Sequence, residues 1–536
     1  MISLRQFSHY QRIESDLIFA VLQIYMNELK AGVIINYVSI VVSLSTSFLL
    51  TPFVISKLGM EEYGLFMLSG SVISWLALTD MGLGATVRKY VTGFRARNED
   101  REQMEFLGQA TLLFTVLAFI VLGSGLICFF YLDVIFPSLT SEQHDVLQVL
   151  YLLTLGNMVI AFPLRPLTCL AGCYLKFIVP GIINLCTAIF NASLTILLLC
   201  TGYRAIGLTV LSVVMGVLSI ILSLYYTVGV LGVRLRFTKP NWKLYREMFS
   251  FSFWVLLNEV MGILYWKTGA PIVARFCGAS AVSLFTLGIG FASYYMAASQ
   301  AIAGVIGPKI MRMVAEEVDR EHMTSLMIRA GRLQMCLLCV VMLGFVVLGY
   351  DFLTLWVGKS IGEGVHVVWL GALIVQIPLL IPLTQNVGIS LLQAMNIHKG
   401  RAIILLYSSI MCAIMGYTLT AYFGPIGMYI GTGISLLLGQ GIMINAYYHR
   451  RAGLDMILFF KKTYWPVLLP AAIMILLGWG WISVWVIVDW LDFLISSSVY
   501  GIVCISAMFF FYLNKSERQM FIEPVSHLVS RIRKTC

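Results

Sequence analysis

The sequence predicts an all-α polytopic membrane protein with about fourteen transmembrane helices, arranged as two six-helix bundles and two further helices. Three observations predict this class: the composition, a series of apolar runs, and an internal repeat. Of the 536 residues, 59% are hydrophobic and 12% are charged, and the mean hydropathy is +0.89. Soluble domains carry roughly 25% charged residues. A chain of this length therefore has too few charges to build a solvated surface.

The apolar runs have the length that crosses a bilayer, about 20 helical residues. Because hydrocarbon offers no water to backbone N–H and C=O groups, these runs must be helices. The polar stretches between them are too short for a soluble domain. The predicted spans are 31–53, 64–86, 108–132, 146–170, 177–200, 205–231, 249–270, 279–307, 333–357, 365–393, 402–423, 426–448, 465–487 and 493–513.

Lysine and arginine are concentrated in alternate loops. If the N-terminus is cytoplasmic, 31 of the 36 basic residues fall in cytoplasmic segments. The other five, in the outer loops, are Lys57, Arg204, Lys267, Arg275 and Lys359. This asymmetry predicts that both termini are cytoplasmic, and it supports the span count because a missed helix would scramble the alternation. It also explains the net charge of +10, so no nucleic-acid partner is expected.

The segment before the first span carries charged residues around a short apolar patch, so we expect no cleavable signal peptide there. Eleven cysteines are scattered through the apolar spans. No histidine or acid cluster accompanies the closely spaced pairs, so we expect neither a metal site nor a redox role.

The chain repeats itself at an offset of 219 residues. Residues 52–66 (PFVISKLGMEEYGLF) align without a gap on residues 271–285 (PIVARFCGASAVSLF), and the same offset aligns Pro163 with Pro382. Six predicted spans separate the copies, so both copies have the same orientation and should be related by an axis along the membrane normal. Two-lobed proteins of this kind commonly hold a substrate between the lobes, so the repeat favours a transporter.

The repeat divides the chain into a cytoplasmic segment, two six-helix lobes joined by a linker, two additional helices and a basic cytoplasmic tail. The predicted boundaries are 1–30 for the cytoplasmic segment, 31–231 for the first lobe, 232–248 for the linker, 249–448 for the second lobe, 449–513 for the two additional helices and 514–536 for the tail.

Residues 49–96 carry a family resemblance. They read LLTPFVISKLGMEEYGLFMLSGSVISWLALTDMGLGATVRKYVTGFRA, with a proline in the first helix, a Leu-Gly-x-Glu-x-Tyr-Gly-Leu turn and an Asp-x-Gly-Leu-Gly run that ends the second helix. This stretch resembles the oligosaccharide flippases, the Wzx-type polysaccharide transporters of the MATE/MOP superfamily. The motifs are specific for the family and say little about the substrate.

The resemblance implies movement of an undecaprenyl-diphosphate-linked oligosaccharide across a bacterial inner membrane, for O-antigen, capsule or exopolysaccharide synthesis. It implies a monomer among membrane lipids that works by ion-coupled alternating access as an antiporter, with H⁺ or Na⁺ as coupling ion and no cofactor. A polysaccharide polymerase and a chain-length regulator are the protein partners to expect.

Two charges at membrane depth are the main candidate site residues. An ionisable group near the bilayer centre costs roughly 3 kcal/mol on insertion scales and usually faces an interior cavity. Arg165 lies between Pro163 and Pro166, which disturb the helix, and a guanidinium can pair bidentately with a diphosphate. Glu259 lies in mid-span and is the candidate ion-coupling residue. The alternatives are that Arg165 snorkels to water and that Glu259 forms a structural pair with Arg165 or Lys267.

Other polar residues in the spans have a functional and a structural interpretation. Lys267 either lines the transport pathway or anchors the end of a helix. Asp80 is followed by Gly82 and Gly84, and it should form a structural or gating pair with Arg88. Three amides bind sugar hydroxyls or form hydrogen bonds between helices, which is the commoner use in membranes: Asn157, Gln385 and Asn386.

Two other function classes remain as alternatives. A MATE-like exporter of small organic cations would have an acid-rich cavity, whereas the charges here are mixed. A membrane polymerase or ligase would have an outer loop of several dozen residues, and no predicted outer loop is that long. The sequence also lacks a Walker loop, a nucleophile elbow and a zinc motif, so we do not expect an enzyme.

Overall fold

The structure is a computed structural model that describes residues 4–315, 319–395 and 397–519. Regular secondary structure in these ranges is helical throughout, and no strand occurs in them. This confirms the predicted fold class. The first ten α-helices are α1 (Leu4–Leu76), α2 (Leu83–Ala96), α3 (Asp100–Phe130), α4 (Leu132–Ile135), α5 (Ser141–Ala161), α6 (Arg165–Thr168), α7 (Ile178–Cys200), α8 (Ala205–Leu224), α9 (Trp242–Trp266) and α10 (Gly269–Ala315).

The second half of the chain has the same character. Its α-helices are α11 (Arg320–Trp356), α12 (Gly358–Ile361), α13 (Gly364–Thr384), α14 (Asn386–Ala394), α15 (His398–Phe423), α16 (Pro425–Ser435), α17 (Ile444–Tyr447), α18 (Met456–Thr463), α19 (Trp465–Val484) and α20 (Trp490–Ala507). Short 3₁₀ and π-helical turns, such as Ala77–Asp80 and Tyr225–Val230, extend several of these helices.

Twelve continuous helical runs in the described ranges are long and apolar enough to cross a membrane. Two of them, Ile34–Asp80 and Val255–Gln300, contain 47 and 46 residues. A straight helix of that length would measure about 70 Å, more than twice the thickness of the hydrocarbon. Each contains one glycine with non-helical φ and ψ, Gly59 or Gly278, and Val255–Gln300 also includes the short break between α9 and α10. Two crossings in each of these two runs would make up the fourteen that the sequence predicts.

The two interrupting glycines have the same backbone conformation. Gly59 has φ 78° and ψ 170°, and Gly278 has φ 80° and ψ −177°. A positive φ with an extended ψ is a conformation that essentially only glycine adopts. The offset of 219 residues found in the sequence aligns these two glycines, so both copies of the repeat turn at the same residue by the same means.

The chain separates into two compact units. Unit 1 contains Met1–Leu58, Val72–Ile135 and Thr140–Glu259. In this unit Gln109 of α3 holds the linker that follows α8. Its buried side-chain amide donates to the carbonyl oxygens of Thr238 and Lys239 and accepts a hydrogen bond from the Tyr245 hydroxyl at 2.7 Å. One glutamine thus satisfies several backbone and side-chain groups of an otherwise irregular segment.

Unit 2 contains Gly59–Ser71, Phe136–Leu139 and Val260–Cys536. Its first stretch packs closely on the start of the helix after Gly278: the hydroxyl of Ser283 bonds to the carbonyl of Met60. A Cβ added at Gly64 would lie 1.9 Å from the carbonyl oxygen of Ala279. Glycine at position 64 is therefore required for this contact.

A buried ion pair fixes the first half of α11 to the segment after α20 in unit 2. The Nε of Arg332 lies 2.9 Å from a carboxylate oxygen of Glu517, and both side chains are 5% exposed or less. Arg332 also donates to the carbonyl oxygens of Lys462 and Tyr512. This set of bonds compensates for taking both charges out of water.

Candidate functional site

The first part of the candidate site is a break in the helix after Leu76. A 3₁₀ turn, Ala77–Asp80, is followed by Met81 and Gly82, with φ of 52° and 71°, before α2 begins at Leu83. The regular backbone hydrogen bonds of the first helix end at this break, and those of α2 begin after it. It leaves the Asp80 carboxylate, which is 12% exposed, beside the start of α2, where the N–H of Gly84 donates to it.

α2 is held against α9, which carries Glu259. The hydroxyls of Thr86 and Ser252 are 2.6 Å apart and buried, and the Lys89 ammonium lies 3.8 Å from the centre of the Phe251 ring. These contacts place the following turns of α9 near the break at Asp80.

The second break lies between α5 and α6, where Phe162–Leu164 form a 3₁₀ turn. Pro163 and Pro166 have no N–H to donate and cannot continue an α-helix through this point, as the sequence indicates. Arg165 begins α6, and its side chain is 46% exposed. The Arg165 side chain therefore extends from a break between two helices and not from the surface of a regular helix. It faces the first break, at Asp80.

The two breaks meet at an ion pair. The Nη1 of Arg165 lies 3.0 Å from Oδ2 of Asp80. The other carboxylate oxygen, Oδ1, is buried and has no hydrogen-bond partner among the described residues. Since a buried carboxylate oxygen is normally satisfied, Asp80 retains the capacity to accept a proton or another donor.

Two further charges act on Asp80. Glu259 and Arg88 lie close enough to Asp80 to interact with it electrostatically. We call Asp80, Arg88, Arg165 and Glu259 the charged cluster; all four lie in unit 1. The sequence predicts that Asp80 pairs with Arg88. The structure adds Arg165 as a partner at 3.0 Å, because the break at Phe162–Leu164 brings its guanidinium to the break at Asp80.

Glu259 and Lys267 are both exposed. A carboxylate in contact with hydrocarbon in mid-span would cost roughly 3 kcal/mol. Lys267 lies in unit 2, between α9 and α10, where the chain leaves regular helix.

The three amides predicted from the sequence are distributed over both units. In unit 1, Asn157 lies against Gly216, and its Oδ1 is buried without a partner among the described residues. In unit 2, Gln385 donates to Asn445 at 2.8 Å and Asn386 donates to the Ser299 hydroxyl at 2.9 Å. The last two amides therefore form hydrogen bonds between helices, the structural use that the sequence analysis left open.

Unit 2 also contains an apolar cavity of about 350 Å³ between α10, α11 and α20. Its wall is largely aromatic, and the residues of the wall include Phe291, Tyr295, Phe345, Phe352, Phe493 and Tyr500. Among the described residues no group of three or more His, Cys, Asp or Glu side chains is placed to hold a metal ion.

Comparisons with known proteins agree with this architecture. Residues 29–311 match the family described as "Polysaccharide biosynthesis protein". The chain is also 23% identical over 514 residues to the uncharacterized membrane protein EpsK of Bacillus subtilis (strain 168), covering 93% of this chain and 97% of that protein.

Two solved structures have a similar fold. One is described as the lipid II flippase MurJ in an inward closed conformation, with a TM-score of 0.68 and 15% identity, covering 92% of this chain and 99% of that one. The other is an inward-facing multidrug resistance MATE family transporter of the MOP superfamily, with a TM-score of 0.62 and 11% identity, covering 80% and 99%. The fold is thus shared with transporters.

Proposed function

The chain belongs to the polysaccharide biosynthesis protein family, and we propose that it is a flippase for a lipid-linked oligosaccharide. The carrier lipid in this proposal is undecaprenyl diphosphate, and the membrane is a bacterial inner membrane with both termini of the chain in the cytoplasm. The observation that carries the proposal is the charged cluster, which puts an exposed guanidinium at a helix break within membrane-spanning segments. The likeness in fold to a protein described as a lipid II flippase supports it.

Arg165 is the proposed diphosphate ligand. A diphosphate cannot cross hydrocarbon without a polar partner, and the planar guanidinium offers two parallel N–H donors to phosphate oxygens. The Arg165 side chain is 46% exposed while it holds Asp80. A diphosphate can therefore reach it without prior unfolding of the site.

Binding of the diphosphate also supplies a means of coupling. When Arg165 turns to the phosphate, Asp80 loses its ion-pair partner while one of its oxygens already has no hydrogen bond. An unpaired carboxylate in a poorly solvated site favours uptake of a proton or Na⁺, and the neighbouring Glu259 strengthens this effect. A ligand drives an alternating equilibrium only through its different affinities for the two states, and this partner exchange creates such a difference.

The other parts of the substrate need different surroundings. The prenyl chain is apolar and can stay in the surrounding lipid, so only the diphosphate and the sugars need a polar path. No hydrolysis of ATP enters this scheme, since the energy comes from the coupling ion.

The proposal is tested by deleting the gene and supplying the chain in trans. We expect the deletion to abolish surface polysaccharide and to accumulate lipid-linked oligosaccharide in the membrane fraction, and the wild-type chain to reverse both effects. Unchanged surface polysaccharide, with increased sensitivity to cationic dyes, would contradict the proposal and favour export of organic cations, the alternative suggested by the two carboxylates of the charged cluster.

A further inference from the structure

Unit 1 contains a second polar feature, a groove of about 590 Å³ between α1, α7 and α8. Its lining residues carry no charge; three are asparagines and five have hydroxyl side chains. These eight polar residues are Asn36, Ser39, Ser43, Asn184, Thr187, Asn191, Ser212 and Ser219.

The polar residues follow one face of each helix. In α1 they recur at 36, 39 and 43, and in α7 at 184, 187 and 191. Spacings of three and four residues place side chains on the same helical face. In α8 the lining residues 212, 216 and 219 follow the same spacing. Three apolar helices thus direct their polar residues toward one space.

The donors and acceptors of these polar side chains are only partly used in hydrogen bonds within the protein. Ser39 bonds to the carbonyl oxygens of Ile35 and Gly181 at 2.8 and 3.0 Å, which leaves its lone pairs as acceptors. The amide oxygen of Asn191 is buried and has no partner among the described residues. Such a group costs free energy in a membrane protein unless a ligand or water satisfies it.

We propose that this groove binds the sugar hydroxyls of the transported lipid; the inference rests on the proposed function. Asparagine offers both donors and acceptors, and serine and threonine offer one hydroxyl each, which matches a polyhydroxylated ligand. The lack of charge in the lining disfavours an anionic or organic-cation ligand.

The position of the groove fits loading from the cytoplasmic leaflet. With cytoplasmic termini, α1 and α7 run outward and α8 runs inward. Asn36 and Asn184 then lie near the cytoplasmic end of the groove, and Ser43 and Asn191 lie near mid-membrane. The charged cluster supplies the diphosphate ligand and the groove supplies the sugar ligands, so the two sites bind different parts of one molecule.

The test compares two probes by native mass spectrometry of the purified full-length chain. One probe is undecaprenyl diphosphate, and the other is the undecaprenyl-diphosphate oligosaccharide fraction from membranes of cells that lack the chain. We expect the wild-type chain to bind the glycosylated probe more tightly. Asn184→Leu and Asn191→Leu should each weaken that binding about fivefold, the effect of losing one neutral hydrogen bond, and leave binding of the bare lipid unchanged.

A matched pair of variants controls for helix packing. Thr187→Val and Thr195→Val both replace a threonine of α7 with an isosteric residue, but only Thr187 lines the groove. We expect only Thr187→Val to reduce the preference for the glycosylated probe. Equal losses in both variants, or equal binding of both probes by the wild-type chain, would overturn the sugar site while leaving the proposed function intact.

Two further outcomes separate the remaining explanations. Failure of the wild-type chain to bind either probe would contradict the proposed function itself. The second outcome concerns Na⁺. If Na⁺ raises the melting temperature of the wild-type chain, Asn191→Leu could abolish this effect and leave the preference for the glycosylated probe intact. The groove would then be a cation site, and our assignment would be wrong.

Discussion

At the residue scale, the proposed mechanism assigns Arg165 two successive partners, Asp80 and a phosphate. Arg165→Ala leaves the Asp80 carboxylate unpaired, which should cost more than the ~1 kcal/mol of an exposed ion pair and less than the ~3–5 kcal/mol of a buried one. The double variant Asp80→Asn/Arg165→Gln removes both charges and should recover this stability. We expect it to fold like the wild-type chain and still to make no surface polysaccharide.

Two measurements on the same variants separate the roles. Size-exclusion chromatography of detergent extracts reports folding, and surface polysaccharide at matched expression reports transport. If the double variant regains both, Arg165 serves only to neutralise Asp80, and the diphosphate site is wrong. If Arg165→Lys alone retains transport, positive charge matters but bidentate geometry does not.

Glu259 has a separate prediction, because its proposed role is coupling. Glu259→Gln removes the charge and keeps the shape, so transport should lose its dependence on an imposed proton or Na⁺ gradient. Glu247→Gln is the matched control, since Glu247 is exposed on the same helix before the apolar span. In right-side-out vesicles, the appearance of lipid-linked sugar in the outer leaflet is measured under each gradient for both variants; the same gradient dependence in both would contradict the coupling role.

The candidate site was only partly predictable from single residues. Arg165 and Glu259 stand out because charges are rare in apolar runs, and two prolines mark the break at Arg165. The pairing of Arg165 with Asp80 depends on two breaks that are 85 residues apart in the chain and is not encoded in any local pattern. The polar groove was missed because serine and asparagine are common on buried faces of membrane helices, although their spacing of three and four residues was a readable signal.

At the scale of the element, the repeat predicts that glycine is needed at position 59 because of its backbone conformation and not because of close packing. No atom lies within 4 Å of a Cβ added at this position, so Gly59→Ala creates strain without a clash. The penalty for its φ and ψ is about 1–3 kcal/mol. Gly70→Ala is the control, because Gly70 lies in regular helix and also has open space. The melting temperature of the purified chain should fall only in the first variant.

The elements themselves were largely predictable. Apolar length fixes where the helices lie, because a lipid environment leaves the backbone no alternative, and the repeat located the Gly59 and Gly278 turns as equivalent residues. The positive φ at Met81 could not be predicted, since a non-glycine residue in that region is uncommon. The buried pair of Arg332 and Glu517 was also unpredictable, because it depends on how the segment after α20 packs on α11.

At the scale of the whole molecule, the alternating loop charge predicts the topology. We expect reporter fusions at residue 515 to be cytoplasmic and fusions near residue 140 to lie on the outer side. Fourteen crossings place the two reporters on opposite sides, and the lysine and arginine count makes the one at 515 cytoplasmic. The opposite result at either position would show that a crossing has been miscounted.

The central claim, that this chain moves a lipid-linked oligosaccharide across a bilayer, is tested most directly by reconstitution. The purified chain is placed in liposomes that carry the glycosylated lipid in both leaflets, and a membrane-impermeant glycosidase is added outside. Without protein only the outer-leaflet sugar is accessible. Our account predicts that the wild-type chain renders the inner-leaflet sugar accessible without ATP and that Arg165→Ala does not. Continued protection of the inner-leaflet sugar by wild-type liposomes under a proton and a Na⁺ gradient would contradict it.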